Sequence, residues 1–172
     1  MLTLVDVNEN NYDTIPAACR HCLYWQTTGA YSEGTVTPPM ENEKRAWWRK
    51  VSREFGNCHK VVMSDGIPVG FIQFAPAKFF ARAQTYAAGT PTEDAVFIAC
   101  LYLSKDIRGK GLGILTLKEL IAALREKEYM AIETFTRANS TDNPSGPADL
   151  YLKQGFKVKH EKDGSSLLRL DL

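Results

Sequence analysis

The longest apolar run of the chain is VFIACLYL at residues 96–103. A strand that is apolar at every position is typical of the centre of a sheet, where both faces are covered. After the stretch RGKGLG, the residues Ile114, Leu117 and Ile121 recur at helical spacing and predict an amphipathic helix. MAIETF at 130–135 has the composition of a further strand. Strand, helix and strand in this order predict a right-handed parallel crossover.

The N-terminal part of the chain predicts a strand followed by two helices. LTLVDV at 2–7 alternates apolar and polar residues, as a half-buried strand does. A short helix follows, with Ile15, Cys19 and Cys22 on one apolar stripe. A longer helix is predicted from residue 41 to residue 55, with apolar residues on one side and charged residues on the other.

Two Asp-Gly pairs mark tight hairpins, since this dipeptide is the usual sequence of a two-residue β-turn. Asp65-Gly66 separates KVVMS from IPVGFIQF, and Asp163-Gly164 separates FKVKH from SSLLRLDL. Residues 76–94 carry no regular pattern, and we interpret them as an excursion near a site. ADLYLKQ predicts a short helix that ends at Gly155.

Length and composition are those of an ordinary globular domain. The chain has 172 residues, of which 44% are hydrophobic and 24% are charged. This is enough to bury a core without a metal ion or disulfides. We expect one domain over residues 1–172, of the mixed α/β class, with a sheet of about six to seven strands and helices on both faces.

The charge balance argues against two classes of partner. The formal net charge is +1, which gives no footprint for nucleic acid or for anionic lipid. No apolar run approaches the roughly 20 residues of a membrane span, and MLTLVDVNENNYD lacks the basic and apolar segments of a signal peptide. We expect a cytoplasmic protein that has neither nucleic acid nor a membrane as its partner.

Three glycines, Gly109, Gly111 and Gly113, lie between the buried strand and the amphipathic helix. A glycine within a helix costs about 1 kcal/mol relative to alanine, so this cluster needs a reason. At the start of a helix, free backbone N–H groups and the positive end of the helix dipole converge, and glycines leave the approach open. Arg108 and Lys110 add positive charge. The pattern predicts a phosphate-binding loop.

The spacing of the loop excludes one kind of phosphate compound and disfavours another. A nucleoside triphosphate loop requires Ser or Thr after its lysine, but Gly111 follows Lys110. A dinucleotide fingerprint requires a third glycine three residues after the second, and that position holds Ile114 or Thr116. Glu133 lies about 20 residues downstream, as a ribose-binding acid would, so the dinucleotide interpretation stays open.

RGKGLG at 108–113 and LYLKQGF at 150–156 resemble two motifs of the GNAT superfamily of acyl-CoA N-acyltransferases, in the order and at the distance found there. The resemblance implies a GNAT-like fold, in which the mixed central β-sheet splays open after the central strand. It also implies acetyl-CoA as cosubstrate. Its pyrophosphate would be held by Arg108, Gly109, Lys110, Gly111, Leu112 and Gly113, and its pantetheine arm would face the backbone of Leu101, Tyr102 and Leu103.

The same resemblance implies catalytic roles. Tyr151 occupies the position of the family's usual general acid, and a phenol with a pKa near 10 can protonate a thiolate whose conjugate acid is near 8.5. An asparagine commonly precedes this tyrosine by seven residues, but Pro144 is there, so the pantetheine contact is carried to Asn143. Glu133 is a candidate general base, although a solvated strand carboxylate is an equal alternative.

The acceptor implied by the resemblance is a primary amine, on a small molecule or a protein. A lysine-like amine with a pKa near 10.4 needs a general base, whereas an α-amino group near 7.8 is largely neutral already. A non-catalytic acyl-CoA sensor or partner module is the alternative function, with Cys19 and Cys22 as its candidate switch.

The C-R-H-C stretch at 19–22 leaves three interpretations open: packing thiols, a redox pair or a metal site. No second ligand pair follows at a zinc-like spacing, so we predict no metal. Aromatic residues concentrate in the helical and irregular parts that would border the acceptor, and they suit core packing, an apolar acceptor or a homodimer contact.

Overall fold

The computed structural model describes residues 1–31, 38–138 and 143–172. Within them, seven strands form one sheet in the order β1-β2-β3-β4-β5-β7-β6. Neighbouring strands are antiparallel except β4 and β5, which are parallel. The parallel pairing of the predicted crossover is therefore confirmed. The strands are β1 Leu2–Asp6, β2 His59–Ser64, β3 Ile67–Pro76, β4 Ala95–Leu103, β5 Ala131–Arg137, β6 Lys157–Lys162 and β7 Ser165–Asp171.

Helices cover both faces of this sheet, as predicted. They are α1 Ala17–Arg20, α2 Pro38–Glu54, α3 Leu112–Arg125 and α4 Ala148–Leu152, with short 3-10 turns at Tyr12–Thr14, Ala77–Phe79, Ala81–Thr85 and Lys105–Ile107. The buried residues of α1 and α2 belong to one core cluster, and those of α3 and α4 belong to a second cluster on the opposite face. No helix in the described ranges is long and apolar enough to cross a bilayer.

The first helix is shorter than the sequence predicts. It ends at Arg20, so Cys22 lies beyond it and is only partly buried, whereas Ile15 and Cys19 are buried as expected. The helix begins directly after Pro16, whose ψ of 135° is extended rather than helical. Pro16 therefore precedes the first turn instead of forming part of it.

Both Asp-Gly turns adopt the predicted hairpin conformation. Asp65 and Gly66 have φ values of 49° and 80°, and Asp163 and Gly164 have values of 52° and 74°. Two successive residues with positive φ give the type I′ geometry, which matches the twist of the strands it joins. The turns link β2 to β3 and β6 to β7.

The central strand β4 carries a bulge where it diverges from β5. Gln73 lies opposite Cys100 and Phe74 lies opposite Ile98, so Ala99 is an extra residue in β4. Pairing with β5 ends at the same place, since the last parallel pair joins Ile98 to Thr134. Beyond that pair β4 and β5 each continue without contacting one another as strands, which leaves a gap in the sheet.

Candidate active site

The glycine loop lies between β4 and α3, at the mouth of this gap. Gly109 and Gly111 both have φ values of 77°, a left-handed conformation that only glycine adopts without strain. A Cβ atom at either position would meet no atom within 4 Å, so both positions open to the surroundings. Within the described residues, the backbone N–H groups from Gly109 to Gly113 have no protein acceptor. These N–H groups are therefore available as hydrogen-bond donors at an open turn before α3.

Gly113 has a different role from the other two glycines. It lies within α3, and a Cβ atom there would meet Leu150 of α4 at 3.7 Å and Leu103 of β4 at 3.8 Å. Both distances are ordinary van der Waals contacts, so the packing of α3 against α4 and β4 does not itself require a glycine here. Of the three glycines, Gly109 and Gly111 are therefore the two whose backbone conformation requires glycine.

The two basic residues of the loop are placed differently. The Arg108 Nε donates to the Leu103 carbonyl oxygen at 2.8 Å, and its guanidinium lies over the Tyr102 ring at 5.7 Å. This anchors Arg108 to the end of β4. Lys110 is exposed and makes no ion pair with a described residue.

The segment Asn143–Ser145 lies across the gap between β4 and β5. The Leu101 amide donates to the Pro144 carbonyl oxygen at 2.9 Å. The Ser145 hydroxyl donates to the Phe135 carbonyl oxygen at 2.5 Å. The Asn143 side chain accepts from the Arg137 amide at 2.9 Å and donates to its carbonyl oxygen at 3.2 Å. These bonds replace the missing strand ladder, and they place Asn143 on the β5 side of the gap.

Tyr151 of α4 is fully buried beneath this segment. Its hydroxyl donates to the Ser145 carbonyl oxygen at 2.6 Å, and its ring packs edge-on against Phe156 at 5.2 Å. Burial raises the pKa of Tyr151 above its ordinary value. The hydroxyl is therefore protonated at neutral pH and acts as a hydrogen-bond donor at the floor of the gap.

Glu133 of β5 is buried within a set of donors. Its carboxylate accepts from the Thr92 amide at 2.7 Å, the Thr92 hydroxyl at 3.0 Å, Lys159 at 2.9 Å and Arg169 at 3.1 Å. Burial alone would raise the pKa of Glu133, but the hydrogen bonds from Lys159, Thr92 and Arg169 outweigh it and hold the pKa below its ordinary value. This carboxylate binds the loop at Thr92 to three strands, and its low pKa disfavours proton uptake.

A cluster on the α1–α2 face brings together residues that the sequence did not connect. The hydroxyls of Tyr24 and Tyr86 lie 2.6 Å apart, and one Nη of Arg137 donates to them at 2.8 and 3.3 Å. Arg137 follows Phe135 by two residues in β5, so period-two alternation places both on the same face. The sequence offered that signal for the arginine and none for its two tyrosine partners.

A buried polar group lies on the same face, below that cluster. Lys44 is 3% exposed and donates to the Cys22 carbonyl oxygen at 2.8 Å. His59 is fully buried and bonds Gln73 at 3.1 Å through Nε2, while its Nδ1 has no partner among the described residues. Burial lowers the pKa of both Lys44 and His59.

All four cysteines are free thiols. Cys19 is in contact with Cys100 of β4. This contact raises the pKa of Cys100, and burial raises it further. In the part of the chain that the structure describes, no three His, Cys, Asp or Glu side chains are grouped to hold a metal ion. Packing thiols are thus the interpretation of Cys19 and Cys22 that this arrangement favours.

The family model described as the acetyltransferase (GNAT) family matches residues 20–156. The fold is similar to an N-acetyltransferase from Staphylococcus aureus Mu50, with a TM-score of 0.66, 19% identity, and coverage of 99% of this chain and 98% of that one. It is also similar to the PaiA N-acetyltransferase of Thermoplasma acidophilum in complex with coenzyme A, with a TM-score of 0.64, 16% identity, and coverage of 100% and 99%.

A third similar structure is YncA of Salmonella typhimurium, described as a putative acetyltransferase with its cofactor acetyl-CoA. Its TM-score is 0.65 at 18% identity, with coverage of 100% of this chain and 94% of that one. No match was found among curated protein sequences. At these identities the structural similarity concerns the fold.

Proposed function

The chain belongs to the acetyltransferase (GNAT) family, and we propose that it transfers an acetyl group from acetyl-CoA to a primary amine by direct attack in a ternary complex. The observation that carries the proposal is the row of unpartnered N–H groups at residues 109–113, next to the unpaired edge of β4. Two of the similar structures, those of PaiA and YncA, contain coenzyme A or acetyl-CoA.

One part of the coenzyme would bind at the glycine loop, and the next part would lie in the gap between β4 and β5. The pyrophosphate fits the turn from Arg108 to Gly113, where N–H groups, the α3 dipole and the charge of Lys110 converge. The pantetheine arm would follow the edge of β4 at Leu101, Tyr102 and Leu103, which β5 leaves unpaired. In that position the Leu101 amide would polarise the thioester carbonyl, in the manner of an oxyanion hole.

Tyr151 is proposed to protonate the departing thiolate. Its hydroxyl lies at the floor of the gap and stays protonated, as an acid must before the reaction. A hydrogen-bond donor beside the departing thiolate would stabilise the charge that develops on sulfur. In this step the nitrogen–carbon bond forms, the carbon–sulfur bond breaks, and the phenolic proton moves to sulfur. The acceptor nitrogen releases its excess proton to solvent, and the phenolate regains a proton from solvent before the next turnover.

We assign Glu133 a structural role rather than that of a base, because its carboxylate is already occupied by four donor contacts. An acceptor amine with a low pKa would then lose its proton to water before it binds. This favours α-amino groups, which are substantially neutral near pH 8, over lysine-like amines.

The proposal covers residues 1–172 as one acetyltransferase domain, since the strands of the single sheet run from Leu2 to Asp171. A cytoplasmic location is part of the proposal and is supported by the four free thiols, because disulfides are rare in that compartment.

The proposed function is tested by measuring thiol release from acetyl-CoA with polyamines, aminoglycosides, amino acids and peptide N-termini as acceptors. Tyr151→Phe should lower kcat by about 10²-fold, the usual contribution of a general acid, and should leave coenzyme affinity within twofold. Tyr129→Phe, at a half-buried tyrosine outside the gap, serves as the matched control. Coenzyme binding without thiol release from any acceptor would establish the non-catalytic module instead, and unchanged turnover in Tyr151→Phe would remove the acid role.

A further inference from the structure

The side chains of Arg137, Tyr24 and Tyr86 form a group that has more hydrogen-bond donors than acceptors among the described residues. A guanidinium has five N–H bonds, and Arg137 uses two of them on the two tyrosine oxygens. Three therefore remain without an acceptor in the described residues. The two hydroxyls share one hydrogen between them, so the second hydroxyl hydrogen is also without an acceptor there.

No carboxylate of the described residues forms an ion pair with Arg137. Arg169 of β7 and Arg49 of α2 behave differently: Arg169 pairs with Asp94, Asp171 and Glu133, and Arg49 pairs with Glu9. Arg137 is held by two neutral phenols, which position its charge without neutralising it. A guanidinium presented in this way is suited to bidentate recognition of a carboxylate.

The tyrosine partners are fixed by their own packing. The Tyr86 ring stacks on Phe135 at 4.3 Å and on Trp25 at 5.2 Å. The Tyr24 ring packs edge-on against Trp25 at 5.1 Å, and the Arg82 guanidinium lies over it at 4.2 Å. The hydroxyls are therefore held in place before any ligand binds, which lowers the entropic cost of binding.

The group also lies at the rim of the gap, on the face opposite the coenzyme loop. Asn143 holds the Arg137 backbone, and the next residue, Pro144, accepts from Leu101. Tyr24 and Tyr86 pack on the α1–α2 core, whereas Tyr151 belongs to the α3–α4 core. An amine that approaches from the α1–α2 face would therefore pass the Arg137 guanidinium.

We propose that the acceptor carries a carboxylate next to its amine, as α-amino acids do, and that Arg137, positioned by Tyr24 and Tyr86, binds this carboxylate. The inference rests on the proposed function and adds the acceptor class to it. It agrees with the occupied state of Glu133, since an α-amino group does not depend on a strong general base.

The experiment compares the standard α-amino acids with their α-amides as acceptors, using wild type, Arg137→Met and Arg125→Met. Arg125 is an exposed arginine at the end of α3 and provides the matched control. For the best amino acid, Arg137→Met should raise KM so that kcat/KM falls about 30- to 100-fold, the cost of a lost charge-assisted contact. The matching amide should change less than threefold, and so should the KM of acetyl-CoA. The kcat/KM of each acceptor is compared between wild type and variant. The difference in amine pKa between the amino acid and its amide therefore cancels out of the comparison.

A binding measurement separates this inference from the proposed function. The N-acetyl form of each amino acid is titrated calorimetrically into the protein with coenzyme A present, and Arg137→Met should weaken binding by the same factor as it lowers kcat/KM. Carboxylate-dependent binding without any thiol release would support the anion site while the transfer reaction failed. Equal losses for acid and amide in Arg137→Met would overturn the inference, as would a wild type that neither acetylates an amino acid nor binds any N-acetyl form.

Discussion

The Leu101 amide donates a hydrogen bond to the Pro144 carbonyl oxygen at 2.9 Å, across the gap between β4 and β5. It is the direct backbone bond from the divergent part of β4 to the segment that precedes α4. The same amide is the one proposed to polarise the thioester. The two roles compete, because one N–H group donates fully to one acceptor at a time.

We therefore expect acetyl-CoA to displace the Pro144 carbonyl from Leu101. In amide NMR spectra recorded during coenzyme A titration, Leu101 and the residues from Asn143 to Ser145 should show shifts as large as those of Gly109 to Gly113. Amides of the β6–β7 hairpin serve as the internal control. Shifts confined to the glycine loop, with Leu101 unmoved, would place the pantetheine arm elsewhere.

Replacing Gly111 by Val should weaken coenzyme binding by at least about tenfold, because the new side chain projects where the phosphates approach. The φ of 77° at this position also strains any residue with a Cβ atom, by about 1–2 kcal/mol. Gly164→Val shares the positive φ and the open surroundings in a distant hairpin, so it isolates that strain. Both variants should lose similar unfolding free energy in denaturant titrations, and only Gly111→Val should lose coenzyme affinity in calorimetry. Equal coenzyme affinity in the two variants would contradict the phosphate role.

Glu133→Gln should destabilise the fold without altering the form of the pH–rate profile. Removing the charge takes the carboxylate partner from Lys159, while Arg169 keeps Asp94 and Asp171, so we expect a loss of about 1–3 kcal/mol. Because the pKa of Glu133 is lowered in the folded state, its contribution is present above the unfolded pKa near 4.5 and is lost as pH falls. Denaturant unfolding at several pH values measures this loss, with Glu161→Gln on the exposed strand β6 as the control. If kcat/KM of the wild type rises with pH and this rise is absent in Glu133→Gln, the result would instead identify Glu133 as a general base.

His59 should make the protein labile in mild acid. Burial lowers its folded-state pKa well below 6.5, so below that pH the unfolded chain binds a proton that the folded chain does not. The free energy of unfolding therefore decreases as the pH is lowered, by up to about 1.4 kcal/mol per pH unit. His59→Gln should remove this slope, whereas His160→Gln, at an exposed position on β6, should retain it. Identical slopes in the two variants would assign the acid lability to other groups.

Local patterns predicted the elements that local physics controls. The Asp-Gly hairpins, the apolar strand β4 and the turn at Gly111 all follow from backbone preferences of a few adjacent residues. The helical spacing of Cys22 predicts a longer α1 than the structure has, because residue spacing does not show where the chain leaves the helix.

Contacts between distant residues were not predictable in the same way. Tyr24 and Arg137 are separated by 113 positions, and their hydrogen bond depends on how the whole sheet is assembled. Burial of Lys44 had a partial signal, because it lies four residues before Trp48 on the same side of α2. Its charge nevertheless indicated a solvated position, since lysine is rarely buried without a partner.

The bulge at Ala99 changes which core the last residues of β4 pack on. Phe97 and Ala99 pack on the α1–α2 core, and without an insertion Leu101 would follow them there, but it packs on the opposite core. Without the bulge, strict alternation would turn Leu101 and Leu103 towards the α1–α2 core and Tyr102 towards the opposite core. The bulge at a single small residue thus sets which core the end of β4 joins, at the same point where the parallel ladder with β5 ends.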